Sequence, residues 1–286
     1  MKKFIKVMMI IAGVFLALGI GFSAAGAAMG ACMEDMGMTD ELQNGLQIMK
    51  NITVGNRHGS SQEEQQSAAT GETIKENTRF CTVDAADYIE ISLRSDELVL
   101  QEYSGDKIKI EIENDKEENV KVTSSASKLE IRSSRRKSSR RVTVYYPAGK
   151  HFSEVKISVD AGSAYVNSAL YSEKMEVEIG AGEFFSEESV ELSELDVEVG
   201  AGNFEASSLK AVKIDGECGM GSLTLGISGK ETDYNYYLEC GIGEISIHGD
   251  SCGGLGSEKK ITNPGAAGEM DLECGIGEIA VEFHES

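Results

Sequence analysis

The chain contains no CxxC pair and only four histidines in 286 residues. Zinc modules draw on closely spaced Cys and His ligands presented from a turn, so that class is excluded. His58 stands alone in a polar stretch, and His151, His248 and His284 sit in no nucleophile or metal motif, so no catalytic constellation follows. Beyond residue 55 no segment has a helical period, which excludes a helical body. Basic residues are also scarce. The formal net charge is −21, and residues 161–286 hold 25 Asp and Glu against 6 Lys and Arg. A surface this acidic repels nucleic acid. No nucleic-acid partner and no cofactor are expected.

The N-terminus is informative. Lys2, Lys3 and Lys6 precede Val7–Met33, a run of 27 residues without a charge. As a helix rising ~1.5 Å per residue it would span about 40 Å, more than the ~30 Å hydrocarbon core. Lysines on one flank, with Glu34 and Asp35 on the other, place the N-terminus inside and the bulk outside. Residues 1–33 are therefore expected to form a single-pass cell-membrane anchor. A signal peptide cleaved at "SAAGAA" and lipidation of Cys32 in "MGAC" are the rivals, and all three readings export the rest. In 34–54, Thr39 offers an N-cap and Leu42, Leu46, Met49 and Ile52 recur at helical spacing, which predicts a juxtamembrane helix. Residues 55–79 are polar with few large apolar side chains, the composition of a flexible stalk.

From Phe80 the pattern becomes period-two alternation. "DYIEISLRSDELVLQEY" puts Ile89, Ile91, Leu93, Leu98 and Leu100 on one side, and "DKIKIEIEN" repeats the habit. Such alternation marks half-buried strands. Glycine corners then recur, their last glycines being Gly162, Gly182, Gly202, Gly221, Gly243 and Gly277. Repeats of about 20 residues point to stacked units. Aligned on the corners, the preceding residues are Val159, Ile179, Val199, Cys218, Cys240 and Cys274. Two residues earlier stand Ile157, Val177, Val197, Gly216, Leu238 and Leu272. Beyond the corner come Ala164, Phe184, Phe204, Leu223, Ile245 and Ile279. The reading is an all-β protein whose residues 80–286 form a β-solenoid stack of strand–corner–strand units, preceded by one transmembrane helix. An antiparallel sandwich is the alternative. Ser95-Asp96 in "LRSDEL" is a degenerate corner, residues 227–235 and 248–268 are insertions that loop out, and the N-terminal half serves as a cap.

Three features invite a functional reading. The Gly-x-Gly corners are each followed by a strand, whereas a phosphate fingerprint needs a following helix, so left-handed angles and tight turning account for the glycines. Calcium nonapeptides need GGxGxD, and this chain has Ser163, Glu183, Asn203, Ser222, Glu244 and Glu278 after the second glycine. Cys218, Cys240 and Cys274 share a column and read as buried small hydrophobes, with a disulfide between neighbouring rungs as the alternative. The stretch "RSSRRKSSRRV" carries Arg132, Arg135, Arg136, Lys137, Arg140 and Arg141, expected at a hairpin tip that touches an anionic surface.

The series "VEIGAGEF", "LDVEVGAGNF" and "LECGIGEI", preceded by "DYIEISLRSDELVLQEYSGDKIKIEIEN", resembles the bacterial putative-adhesin family across about residues 80–286. That resemblance implies a membrane-anchored β-strand repeat in a cell-envelope or stress-associated setting, without catalytic residues. The expected partners are the membrane, through the N-terminal helix, and wall polymer, a host surface or another envelope protein. A stress-system accessory sensor and a polysaccharide-active enzyme are the competing functions.

Overall fold

The computed structural model describes residues 77–134 and 140–284. The expected anchor (1–33), the juxtamembrane helix (34–54) and nearly all of the stalk (55–79) lie outside the described residues. Among the described residues the protein is all-β with a single 3-10 turn at Glu231–Asp233, and no helix is long and apolar enough to cross a membrane.

Alternation gives each strand a dry and a wet face. In β10 (Leu170–Ile179), Met175, Val177 and Ile179 are buried while Glu176 and Glu178 lie on the other side. Strands of this kind stack into two walls that meet at the corners. The strands before the corners are β6 (Lys128–Ser133), β2 (Tyr88–Leu93), β8 (His151–Val159), β10, the end of β11 (Glu183–Val199), β13 (Lys213–Cys218), β19 (Gly268–Cys274) and β15 (Tyr234–Cys240). They neighbour one another in that order, all parallel. The strands after the corners are β7 (Arg141–Pro147), β3 (Glu97–Tyr103), β9 (Ser163–Val166), the start of β11, β12 (Asn203–Lys210), β14 (Ser222–Ser228), β20 (Glu278–His284) and β16 (Glu244–Ile247). They too are parallel throughout. Equivalent strands of an antiparallel sandwich would not run this way. The register reproduces the aligned columns, as in Val159↔Ile179↔Val199↔Cys218. Phe184 and Phe204 stack face to face, centroids 4.6 Å apart.

Antiparallel strands close both ends. At one end β5 (Val120–Ser124) pairs with β6, and β4 (Lys107–Glu113) pairs with β7 and with β1 (Thr78–Asp84). At the other, β17 (Asp250–Gly253) pairs with β16 and β18 (Ser257–Ile261) with β15. Residues 248–268 were expected to loop out. They instead supply strands that pair with the otherwise open edges, satisfying backbone groups that would template association.

The rungs do not follow chain order, because β19 and β20 sit between the β13/β14 rung and the β15/β16 rung. Two further expectations change. The strands that flank the basic stretch do not form a hairpin with each other: β6 pairs with β2 and β5, and β7 with β3 and β4. The corner glycines Gly162, Gly182, Gly202, Gly221, Gly243 and Gly277 are also absent from the positive-φ positions of the described residues. They are needed for contact between rungs. A Cβ on Gly182 would collide with the Gly162 carbonyl, one on Gly202 with that of Gly182, and one on Gly221 with that of Gly202.

Candidate functional site

The dry columns have wet counterparts. On the outer face of the first wall the register aligns Glu176, Asp196, Asp215 and Asp271 on successive strands. Two residues along, it aligns Glu178, Glu198, Glu217, Glu273, Glu239 and Glu258. Parallel neighbours lie ~4.8 Å apart, so this is a two-column carboxylate ladder. Cations stand at its margins. Lys156 contacts both Glu176 and Glu178, while Glu194 in the flanking row takes Lys174 at 3.7 Å and Lys213 at 3.5 Å. Tyr237 closes the far end by donating to Glu239 at 2.5 Å and Glu258 at 3.2 Å.

Crowding like charges disfavours ionisation. Partial burial, then Glu217, Glu239 and Asp271, push the Glu273 carboxyl up to about 7. Burial and Glu198 raise Glu217, and burial and Asp215 raise Asp196. At the other end Glu176 and Glu178 hold Lys156 protonated.

The corners make a second feature beside the ladder. Met220, Ile276 and Ile242 follow the first glycine of their corners and occupy successive rungs, linked by Ile276 N–H to the Gly219 carbonyl and Ile242 N–H to the Gly275 carbonyl, both 2.7 Å. All three side chains are exposed, as is Leu255 in the β17–β18 turn. The ridge is apolar at the acidic end of the stack.

The basic stretch divides. Arg140 was expected to touch an anionic surface but is fully buried, its Nε 2.5 Å from Asp96 Oδ1 and its Nη1 3.6 Å from Asp115 Oδ1. Asp96 stands at the degenerate corner, where it also accepts from Ser133 Oγ at 2.5 Å. Asp115 accepts the backbone N–H groups of Asn119 and Val120, each at 2.9 Å. Arg132 is exposed and paired with Glu90 and Glu130, and Arg141 with Glu97. Arg135, Arg136 and Lys137 lie outside the described residues. Sequence reasoning missed the split because period-two alternation does not say which charge the fold turns inward.

A groove of about 690 Å3 opens at the starts of β2, β8 and β10, where His151 stacks on Tyr171 with centroids 4.9 Å apart. Among the described residues no group of three or more His, Cys, Asp or Glu side chains is arranged to hold a metal ion.

Residues 99–248, more than half of the chain, match the family model described as the N-terminal domain of toast_rack, DUF2154. The chain belongs to this Toast_rack_N family. The matched Toast_rack_N segment ends at His248, so β17–β20, including the inserted rung, come from beyond it. Among solved structures, the chain is 16% identical to a putative adhesin from Parabacteroides merdae, with a TM-score of 0.47, over 72% of this chain and 80% of that one. It is also 16% identical to a putative cell adhesion protein from Clostridium sporogenes, with a TM-score of 0.38, over 73% and 99% of the two chains. A putative lipid binding protein from Parabacteroides distasonis is 12% identical, with a TM-score of 0.37, over 72% and 97%. No match is found among the curated proteins.

Proposed function

We propose that this chain is a non-catalytic, membrane-tethered, extracytoplasmic β-repeat protein acting in adhesion or envelope interaction. Its contact face is the acidic outer wall. The observation that carries this reading is the unbroken carboxylate ladder across successive strands, with its cations confined to the margins. A rigid array of one sign recruits a cationic protein partner and speeds its arrival, with strong dependence on salt. Contact with wall polymer or another anionic surface is assigned to Arg135, Arg136 and Lys137, since Arg140 serves the core and Arg132 and Arg141 already have carboxylate partners.

The test is to delete residues 80–286 and score surface attachment beside an envelope-stress reporter. Lost attachment with an unchanged reporter supports the proposal. Retained attachment with an altered reporter overturns it and favours an accessory sensor. In the full chain, Glu198→Gln, Glu217→Gln and Glu273→Gln together should weaken capture of cationic partners. Reversing Arg135, Arg136 and Lys137 should weaken only binding to anionic polymer or vesicles.

A further inference from the structure

We propose that Cys218 and Cys274 form an oxidisable dithiol whose disulfide locks the β19–β20 rung into the stack, with Cys240 as the alternative partner of Cys274. The inference goes beyond the interaction role and does not depend on it.

The geometry comes from the displaced rung order. Because β19 lies between β13 and β15, Cys274 is in register with Cys218 on one side and Cys240 on the other. All three are free and buried. A Cβ placed on Gly277 would come within 2.8 Å of Cys218 Sγ, so that sulfur leans towards the rung that carries Cys274. Cys274 Sγ lies equally close to a Cβ on Gly243 and so leans towards the rung of Cys240. Directly opposed residues on neighbouring strands fall within the Cα separation that a disulfide accepts.

Packing alone does not call for sulfur here. The same column is filled by Val159, Ile179 and Val199 in the preceding rungs, and cysteine begins at β13, the strand against which the inserted rung packs. The neighbouring Cys274 thiol holds the Cys218 thiol below its ordinary pKa and is itself pushed up, so Cys218 is the readier thiolate. Cys240 lies in the last parallel rung, beside β18, and β17 on the facing wall carries the buried Cys252. Local opening at this end of the stack gives a small disulfide a route to the column.

The chemistry balances with an external disulfide such as oxidised glutathione as the electron acceptor. Cys218 thiolate attacks it, forming a mixed disulfide and releasing one glutathione thiolate. Cys274 then gives up its proton, attacks the Cys218 sulfur and releases the second. Two protein thiols are oxidised to one disulfide, and one glutathione disulfide is reduced to two thiols. The bond spans the whole excursion from β14 to β18, so it prevents the β19–β20 rung from leaving its slot.

The experiment treats the folded full chain with oxidised glutathione, denatures it, alkylates it with iodoacetamide and maps the peptides by mass spectrometry. The expected product links Cys218 to Cys274, and unfolding in urea slows by about tenfold or more. Cys218→Val should divert the bond to Cys274–Cys240, and Cys274→Val should abolish it. Valine already occupies this column at Val199, and circular dichroism checks that each variant folds. The proposal is overturned if all three column cysteines of the wild-type chain are still alkylated, or if the bond forms only through Cys32, Cys81 or Cys252. The wild-type map decides between these outcomes even if a variant fails to fold.

Discussion

Arg140 Nε lies 2.5 Å from Asp96 Oδ1, and neither side chain has any exposed surface. The pair joins the residue just before β7 to the degenerate corner between β2 and β3. Removing one member of a buried pair strands the other charge, which costs about 3–5 kcal/mol. Arg140→Ala should therefore lower the urea midpoint by that equivalent. Arg135→Ala, in the same basic stretch, should change stability by under about 0.5 kcal/mol. Equal effects of the two substitutions in urea titrations would refute the assignment of Arg140 to the core.

The corner glycines make a steric prediction. A Cβ on Gly202 would overlap the Gly182 carbonyl and press on Ile179 Cγ2 at 2.8 Å. Because the obstacle is backbone, relief requires neighbouring rungs to part. Gly202→Ala should cost on the order of 2–4 kcal/mol. Ala201→Ser, at the exposed middle of the same corner, should be nearly neutral. Thermal denaturation of the two variants side by side checks this.

Stability should depend on pH in two opposed ways. Glu273 has a carboxyl raised to about 7 against an ordinary 4.5, so the folded chain binds a proton that the unfolded chain releases. That stabilisation is complete below about 4.5 and is lost as pH rises through about 7. Asp115 works in reverse. Burial opposes its ionisation, but the N–H groups of Val120 and Asn119, with Arg140 and Arg79, hold it below its ordinary value. Its stabilisation is present above the ordinary aspartate pKa and disappears as pH falls through the lowered one. The melting temperature should rise from about pH 8 to about pH 6 and fall again below about pH 4. Glu273→Gln should remove part of the alkaline loss, on the order of 1 kcal/mol after solvent screening. A flat profile for the wild-type chain between pH 8 and pH 6 would count against the ladder.

The inserted rung also predicts the effect of truncation. β14 pairs with β20 over seven residues, from Ser222↔Glu278 to Ser228↔His284, whereas β16 has four residues in all. A chain ending at Thr262 can offer β14 only the shorter strand. Hydrogen-exchange protection should disappear at Gly226, Ile227 and Ser228, and the urea midpoint should fall. Unchanged protection at these three amides would show that β20 is dispensable.

Much of this was legible in the residues because burial on one face imposes a strict period of two. Val177 and Val197, or Phe184 and Phe204, reveal their column without reference to any other part of the chain. The corners were equally legible, although the reason for their glycines was not. The absence of a Cβ reads the same whether it serves a left-handed angle or close approach of two backbones, and only the stacked Gly162 and Gly182 show it is the second. Arg140 was misread because its neighbours in sequence are exposed cations. Its partners Asp96 and Asp115 come from other rungs and loops.

By itself, then, the sequence determined the all-β class, the repeat unit, the two apolar columns beside each corner and the excess of acid on the outer wall. All of these follow from local alternation and spacing. Tertiary structure alone decided the order of the rungs, the burial of Arg140 and the neighbours of Cys274. Two identical "ECGIGEI" corners fit the same slot locally. What separates them is strand length: the seven residues of β20 match the seven of β14, while the four-residue β16 is left to the end, where β17 covers it.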